Sequence, residues 1–164
     1  MKKVYSLLVE NTSGVLSRVA GLFSRRGYNI TSLTVGETTD PRYSRMTVVA
    51  EGDEQILEQI KRQVGKLIDV VDIKDLEPDV SVNRELILVK VRVLDEQRQS
   101  VIAMADVFRG KVVDVGLDSM IIELTGQQNK LDAFIRLLRD FEILELARTG
   151  ITGLSRGSDD VRYL

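Results

Sequence analysis

The sequence predicts an α+β chain built from two consecutive βαββαβ units. Three observations carry that expectation. Short runs rich in β-branched residues alternate with longer runs whose apolar residues recur at helical spacing. The rhythm is complete once by residue 75, lapses over a polar stretch, and restarts near Leu86. The length of 164 residues suits two small domains of about 75–85 residues each.

Residues 3–10 form a short run with apolar residues on both faces, which reads as a buried strand. Asn11, Thr12, Ser13 and Gly14 make a turn cluster in which Thr12 or Ser13 can cap a following helix. From there Val15, Val19 and Leu22 make one apolar row and Leu16, Ala20 and Phe23 the next, a broad helical stripe. Arg25 and Arg26 suit the negative end of the helix dipole, and Gly27 is a natural stop. Residues 30–36 read as a second strand, and the segment around Asp40-Pro41 as a hairpin loop. In residues 45–50, Met46, Val48 and Ala50 share one strand face. Asp53 caps a helix carrying Ile56, Leu57, Ile60, Val64 and Leu67, and Val70, Val71 and Ile73 close the unit with a strand. The order βαββαβ is the ferredoxin-like split βαβ unit.

The second half repeats the order without obvious sequence repetition. Residues 86–94 read as a strand, 97–109 as a helix closed by Gly110, and 112–125 as a hairpin about Asp118-Ser119. A helix over 130–139 carries Leu131, Phe134, Ile135 and Leu138, and residues 143–148 form the last strand. The organisation expected is therefore a first domain over residues 1–76, a linker over 77–83 containing Pro78, and a second domain over 84–164 whose tail from Gly150 is mobile.

Composition excludes several function classes. There is no cysteine and no histidine, so no disulfide, thiolate nucleophile, Ser-His pair or imidazole metal site can be built. A formal net charge of −2 without a basic block argues against nucleic acid and membrane surfaces as partners. The run Arg25-Arg26-Gly27-Tyr28 reads as a helix end and not as a nucleic-acid contact. The opening apolar run ends at Glu10, too short for a signal peptide core, and no stretch approaches a membrane span, so a cytoplasmic location is expected. Asp69, Asp72, Asp75, Glu77 and Asp79 read as solvated surface in preference to a metal site. No glycine-rich phosphate fingerprint is present, and the expectation is of no catalytic residue, no metal and no cofactor in this chain.

The informative segment is Asn11-Thr12-Ser13-Gly14-Val15-Leu16. It places a polar turn and a glycine at a helix start directly after a buried strand. The first helical N–H groups lack intrahelical partners, and glycine lets a ligand approach the backbone, a combination suited to a carboxylate. Asn11 adds a side-chain carbonyl that can accept from an ammonium group. Such a site reads both ends of an amino-acid zwitterion.

The stretch VENTSGVLSRVAGLFSRRGYNITSLTVGETTD, followed by SRMTVVAEGDE, resembles the N-terminal ACT domain of acetolactate synthase small subunits. The resemblance continues through ELILVKV, FRGKVVDV, KLDAF and RTGITGLSRG, nearly the whole chain in order. It implies an ACT first domain that pairs with a second copy, with a branched-chain amino acid, typically valine, bound between them as feedback effector. Carried over by position, Asn11, Gly14, Val15 and Leu16 would hold the effector from one subunit, and Asn29 and Ile30 would contact it from the other. The resemblance also implies a large catalytic partner subunit using thiamine diphosphate, magnesium and FAD, which this chain activates. The alternative weighed is a stand-alone amino-acid-binding regulator of another enzyme or of transcription. The latter needs a helix-turn-helix or a basic face, neither of which is visible.

Overall fold

A computed structural model describes residues 1–158. The chain runs through β1 (Lys2–Glu10), α1 (Val15–Arg26), β2 (Asn29–Glu37), β3 (Tyr43–Glu51), α2 (Glu54–Gly65) and β4 (Val70–Asp75). The order then repeats as β5 (Ser81–Arg92), α3 (Arg98–Val107), β6 (Lys111–Val115), β7 (Ser119–Gly126), α4 (Gln128–Leu137) and β8 (Ile143–Arg148), followed by β9 (Thr152–Ser155). The first sheet has the strand order β2-β3-β1-β4 and the second β6-β7-β5-β8, with β9 pairing β5. Pairing along both paths is antiparallel. The two ferredoxin-like units also share their irregularities. Register slips between Ile30 and Ser32 in β2 and between Val112 and Asp114 in β6, the corresponding edge strands. Such bulges bend and twist an edge.

Each unit has its own core. In the first, Val15, Val19 and Phe23 of α1 and Leu57, Ile60 and Val64 of α2 pack on Tyr5, Leu7, Met46, Val48 and Ala50 of the sheet. The Tyr5 hydroxyl donates to the Leu57 carbonyl at 2.8 Å, which resolves the burial of its polar end. In the second, Val101, Leu131, Phe134 and Leu138 pack on Ile87, Val89, Val91, Ile122 and Leu124. The strand alternation in β3 understates burial. Thr47 and Val49, on the face away from the helices, are as buried as Met46 and Val48.

Local signals decide most element ends. Asp53 accepts from the Ile56 N–H at 2.8 Å and starts α2 as its position suggests. The Gly27 N–H closes α1 on the Phe23 and Ser24 carbonyls. At the end of α3 the left-handed residue is Arg109, at φ 59°, while Gly110 donates back to the Ala105 carbonyl at 2.7 Å. Neither Thr12 nor Ser13 caps α1. Gly14 takes the N-cap position, with no side-chain hydrogen bond.

The domain boundaries differ from those read in the sequence. Residues 77–83 are not a free linker. Pro78–Val80 form a 3₁₀ turn, β5 begins at Ser81, and residues 1–83 make one compact unit. The second unit is residues 84–150, and the chain from Ile151 rejoins the first. The tail expected to be mobile is thus a strand over Thr152–Ser155, because buried Ile151 and the small Gly153 let the backbone lie close on the first unit. The remaining tail, residues 159–164, lies outside the described residues. The acidic group is likewise not uniform solvated surface. Asp75 pairs with Lys61 at 2.8 Å and Lys3 at 3.5 Å, and Asp69 is buried against Arg18. Among the described residues no helix is long and apolar enough to cross a membrane.

Candidate functional site

The end of β1 is tied on two sides before α1 begins. The Glu10 N–H donates to the Asp69 carbonyl at 2.9 Å, and the Asn11 N–H to the Arg42 carbonyl at 2.8 Å. The Asn11 side-chain amide donates one hydrogen to Glu37 Oε1 and one to the Pro41 carbonyl, each at 3.0 Å. Both donors of that amide are therefore used, and its carbonyl oxygen is the end that remains to accept.

Gly14 sits at φ 87°, ψ −8°, a left-handed conformation costly for a residue with a side chain. Its carbonyl accepts the first helical bond, from the Arg18 N–H at 2.9 Å. The Val15 N–H makes only a long 3.5 Å turn contact to the Thr12 carbonyl. The N–H groups of Leu16 and Ser17 precede the first i to i−4 bond and have no helical partner. Among the described residues, α1 has no side-chain cap and no acidic residue in its first turn to neutralise this positive end.

Arg18, which the sequence reading overlooked, adds to that charge. Helical side chains lean toward the N-terminus, and Arg18 doubles back so that its Nη1 lies 2.9 Å from where a Cβ on Gly14 would be. Its Nε donates to Asp69, a residue only 6% exposed, and this bond raises the guanidinium's proton affinity above its ordinary value. A cation turned toward the positive end of a helix is electrostatically unfavourable by itself. The Asp69 carboxylate offsets it and fixes its direction. The spacing from Gly14 to Arg18, one helical turn, was the available signal; the partner in the loop before β4 was not visible in sequence. Donors at the helix start and acceptors at Asn11 and Glu37 thus complement a small zwitterion.

The six residues singled out in the sequence do not come together in one chain. Asn11, Gly14, Val15 and Leu16 cluster at the end of the sheet where Glu37 and Ser44 pair. Val15 is 3% exposed and belongs to the core, so only its backbone faces the site, whereas Leu16 is 48% exposed. Asn29 and Ile30 lie at the opposite end of β2, where Asn29 pairs with Glu51. Eight residues along a strand, at about 3.3 Å each, put Asn29 about 26 Å from Glu37. Asn29 is exposed and Ile30 half-buried against the core. The strand joining the two groups, β2, is an edge of its sheet.

Two family models match the chain, one described as an AHAS small subunit-like ACT domain over residues 5–72 and one as the small subunit of acetolactate synthase over residues 84–157. A probable acetolactate synthase small subunit of Methanothermobacter thermautotrophicus is 53% identical over 94% of this chain and 93% of its own. The acetolactate synthase isozyme 3 small subunit of Salmonella typhimurium is 48% identical over 99% of this chain and all of its own. The crystal structure of the acetolactate synthase small subunit of Thermotoga maritima superposes with a TM-score of 0.88 at 42% identity, covering 96% of this chain and 99% of that one.

Proposed function

The chain belongs to the acetolactate synthase small-subunit family, and from that membership we propose that it activates a catalytic acetolactate synthase subunit and makes it sensitive to valine or a related branched-chain amino acid. The observation that carries the effector half of this reading is the split of the candidate residues between the two ends of the edge strand β2. Antiparallel pairing of β2 with β2 of a second copy, about a twofold axis near the strand centre, brings Asn29 and Ile30 of one copy to the Gly14 end of the other. Two equivalent sites then form per dimer. In each, the Leu16 N–H, the Ser17 N–H and Arg18 receive the effector carboxylate, and the Asn11 carbonyl and Glu37 receive its ammonium group. Leu16 and the partner's Ile30 offer apolar surface to a branched side chain.

Catalysis belongs to the partner. Joining pyruvate to a second 2-oxo acid requires a cofactor that stabilises a carbanion, and a chain without histidine or cysteine is poorly equipped to supply the accompanying proton transfers. The family resemblance implies thiamine diphosphate, magnesium and FAD on the large subunit, and none of them on this chain. Binding of the effector biases the complex toward a less active state, with a coupling of roughly 1–3 kcal/mol typical of such systems.

Titrating this chain into its large subunit is the direct test. Turnover of pyruvate to acetolactate is expected to rise to a plateau, to fall on addition of valine, and to be absent from this chain alone. Equal turnover with and without saturating small subunit removes the activating role. The dimeric site makes a separate demand on Asn29, which is exposed and bears no core load. Asn29→Ala is expected to weaken valine binding about tenfold, the scale of a polar contact worth ~1.4 kcal/mol, with an unchanged melting temperature. Calorimetry giving the wild-type affinity for a dimeric variant takes Asn29 out of the site.

A further inference from the structure

The segment that follows residue 150 grips the effector strand. The Ile151 N–H donates to Ser32 Oγ at 3.0 Å, and the Ile151 carbonyl accepts from Thr34 Oγ1 at 3.2 Å. One residue is thus held at both polar groups by two side chains of β2, on the face away from the helices, where Ser32 stands opposite Val49 and Thr34 opposite Thr47. Ile151 itself is only 8% exposed. The segment then continues to the opposite edge of the sheet, where Lys74 of β4 donates to Ser155 Oγ at 3.0 Å, and the Arg156 N–H donates to the Val80 carbonyl at 2.8 Å. Gly153 is buried with no room for a side chain. A Cβ there would run into the Asn83 side-chain oxygen and approach Leu76 Cδ1 to 3.0 Å.

The chain order gives this grip its consequence. Residues 84–150 are an insertion in the first unit, leaving it after Asn83 and returning at Ile151. The return point is fastened by Ser32 and Thr34, which lie two and four residues beyond Ile30 and just past the bulge in β2. The point at which the chain re-enters the first unit is thus tied by hydrogen bonds to β2. Fastening to an edge strand that carries proposed effector contacts at both ends, Asn29 and Ile30 at one and Glu37 at the other, is a local arrangement through which two parts of a chain can share one equilibrium.

We propose that the clasp formed by Ser32, Thr34 and the Ile151 peptide is the element through which effector occupancy at β2 reaches the second unit, making Ser32 and Thr34 positioning residues for inhibition and not for effector binding or activation. This rests on the effector reading given above.

The test uses the full chain as Ser32→Ala, Thr34→Val, their combination, Gly153→Ala, and Thr34→Ser as the conservative control. Valine binding is measured by calorimetry on the small subunit, and activation and inhibition on the complex with the large subunit. The combined variant is expected to keep valine affinity within about threefold of wild type and to activate fully, but to leave most of the turnover uninhibited at saturating valine. Gly153→Ala, which lifts the same segment by another route, is expected to do likewise, and Thr34→Ser to inhibit as wild type. Undiminished inhibition in the combined variant overturns the proposal, as does a parallel loss of valine affinity or of folding, either of which makes the clasp structural. A wild-type chain that binds no valine and confers no inhibition overturns the effector reading instead.

Discussion

Gly14→Asp is expected to abolish the response to valine while leaving activation of the large subunit in place. The new carboxylate lies against Arg18 Nη1, 2.9 Å from the position of its Cβ. It can pair with that guanidinium and accept from the helix-start N–H groups, so an internal anion occupies the place proposed for the effector carboxylate. The guanidinium is the far end of a flexible side chain and can yield to the added atoms. Valine affinity is expected to fall at least ~100-fold, equivalent to about 2.7 kcal/mol. The substitution is not silent in stability. Asp tolerates positive φ better than most residues, but the φ of 87° still costs about 1–2 kcal/mol, and a melting temperature lowered by roughly 5–15 °C is expected. Calorimetry and a thermal melt on the same sample separate the two effects. A folded variant that binds valine as wild type places the effector elsewhere.

Phe134→Ala is expected to produce the largest loss of stability. Phe134 is wholly buried in α4, with its ring edge-on to Phe108 at a centroid distance of 5.2 Å. Removing the ring deletes the centre of the second core and leaves a cavity, at a cost of about 3–5 kcal/mol. For a unit of this size the melting temperature falls by roughly 15–30 °C. The first unit has a separate core around Tyr5, Leu57 and Val48, so part of the far-ultraviolet dichroism should persist above the new transition. A single transition within 5 °C of wild type would falsify the picture of a second core centred on Phe134.

Much of the architecture was legible because it depends on neighbours in sequence. The period of Val15, Val19 and Leu22 specified a helix face, Asp53 a helix start, Gly27 a helix end, and residues 143–148 coincide with β8. The glycine-marked helix start was legible for the same reason: Gly14 and the turn before it are a local pattern. Boundaries failed where the deciding partner was distant. Polar residues 77–83, with Pro78, read as a linker, yet Ser81 is buried and β5 extends back to it because β9 supplies a neighbouring strand. The Gly- and Ser-rich tail read as mobile, yet Gly153 is glycine because Asn83 and Leu76 leave no space for a Cβ.

By itself, then, the sequence determined the element order, the two apolar faces that make two cores, the absence of imidazole and thiol chemistry, and the helix start at Gly14. These follow from spacing and residue type within a few turns of chain. Tertiary structure alone decided that Arg18 turns back over Gly14, since Asp69, fifty-one residues away, holds it there. It alone decided that Asn29 and Ile30 stand at the far end of β2 from Asn11 and Gly14, because antiparallel pairing with β3 sets which residues share an end of the sheet. And it alone decided that Ile151 closes on Ser32 and Thr34, 119 and 117 residues away. Contacts at such separation depend on how the sheets return the chain to itself, which no local pattern encodes.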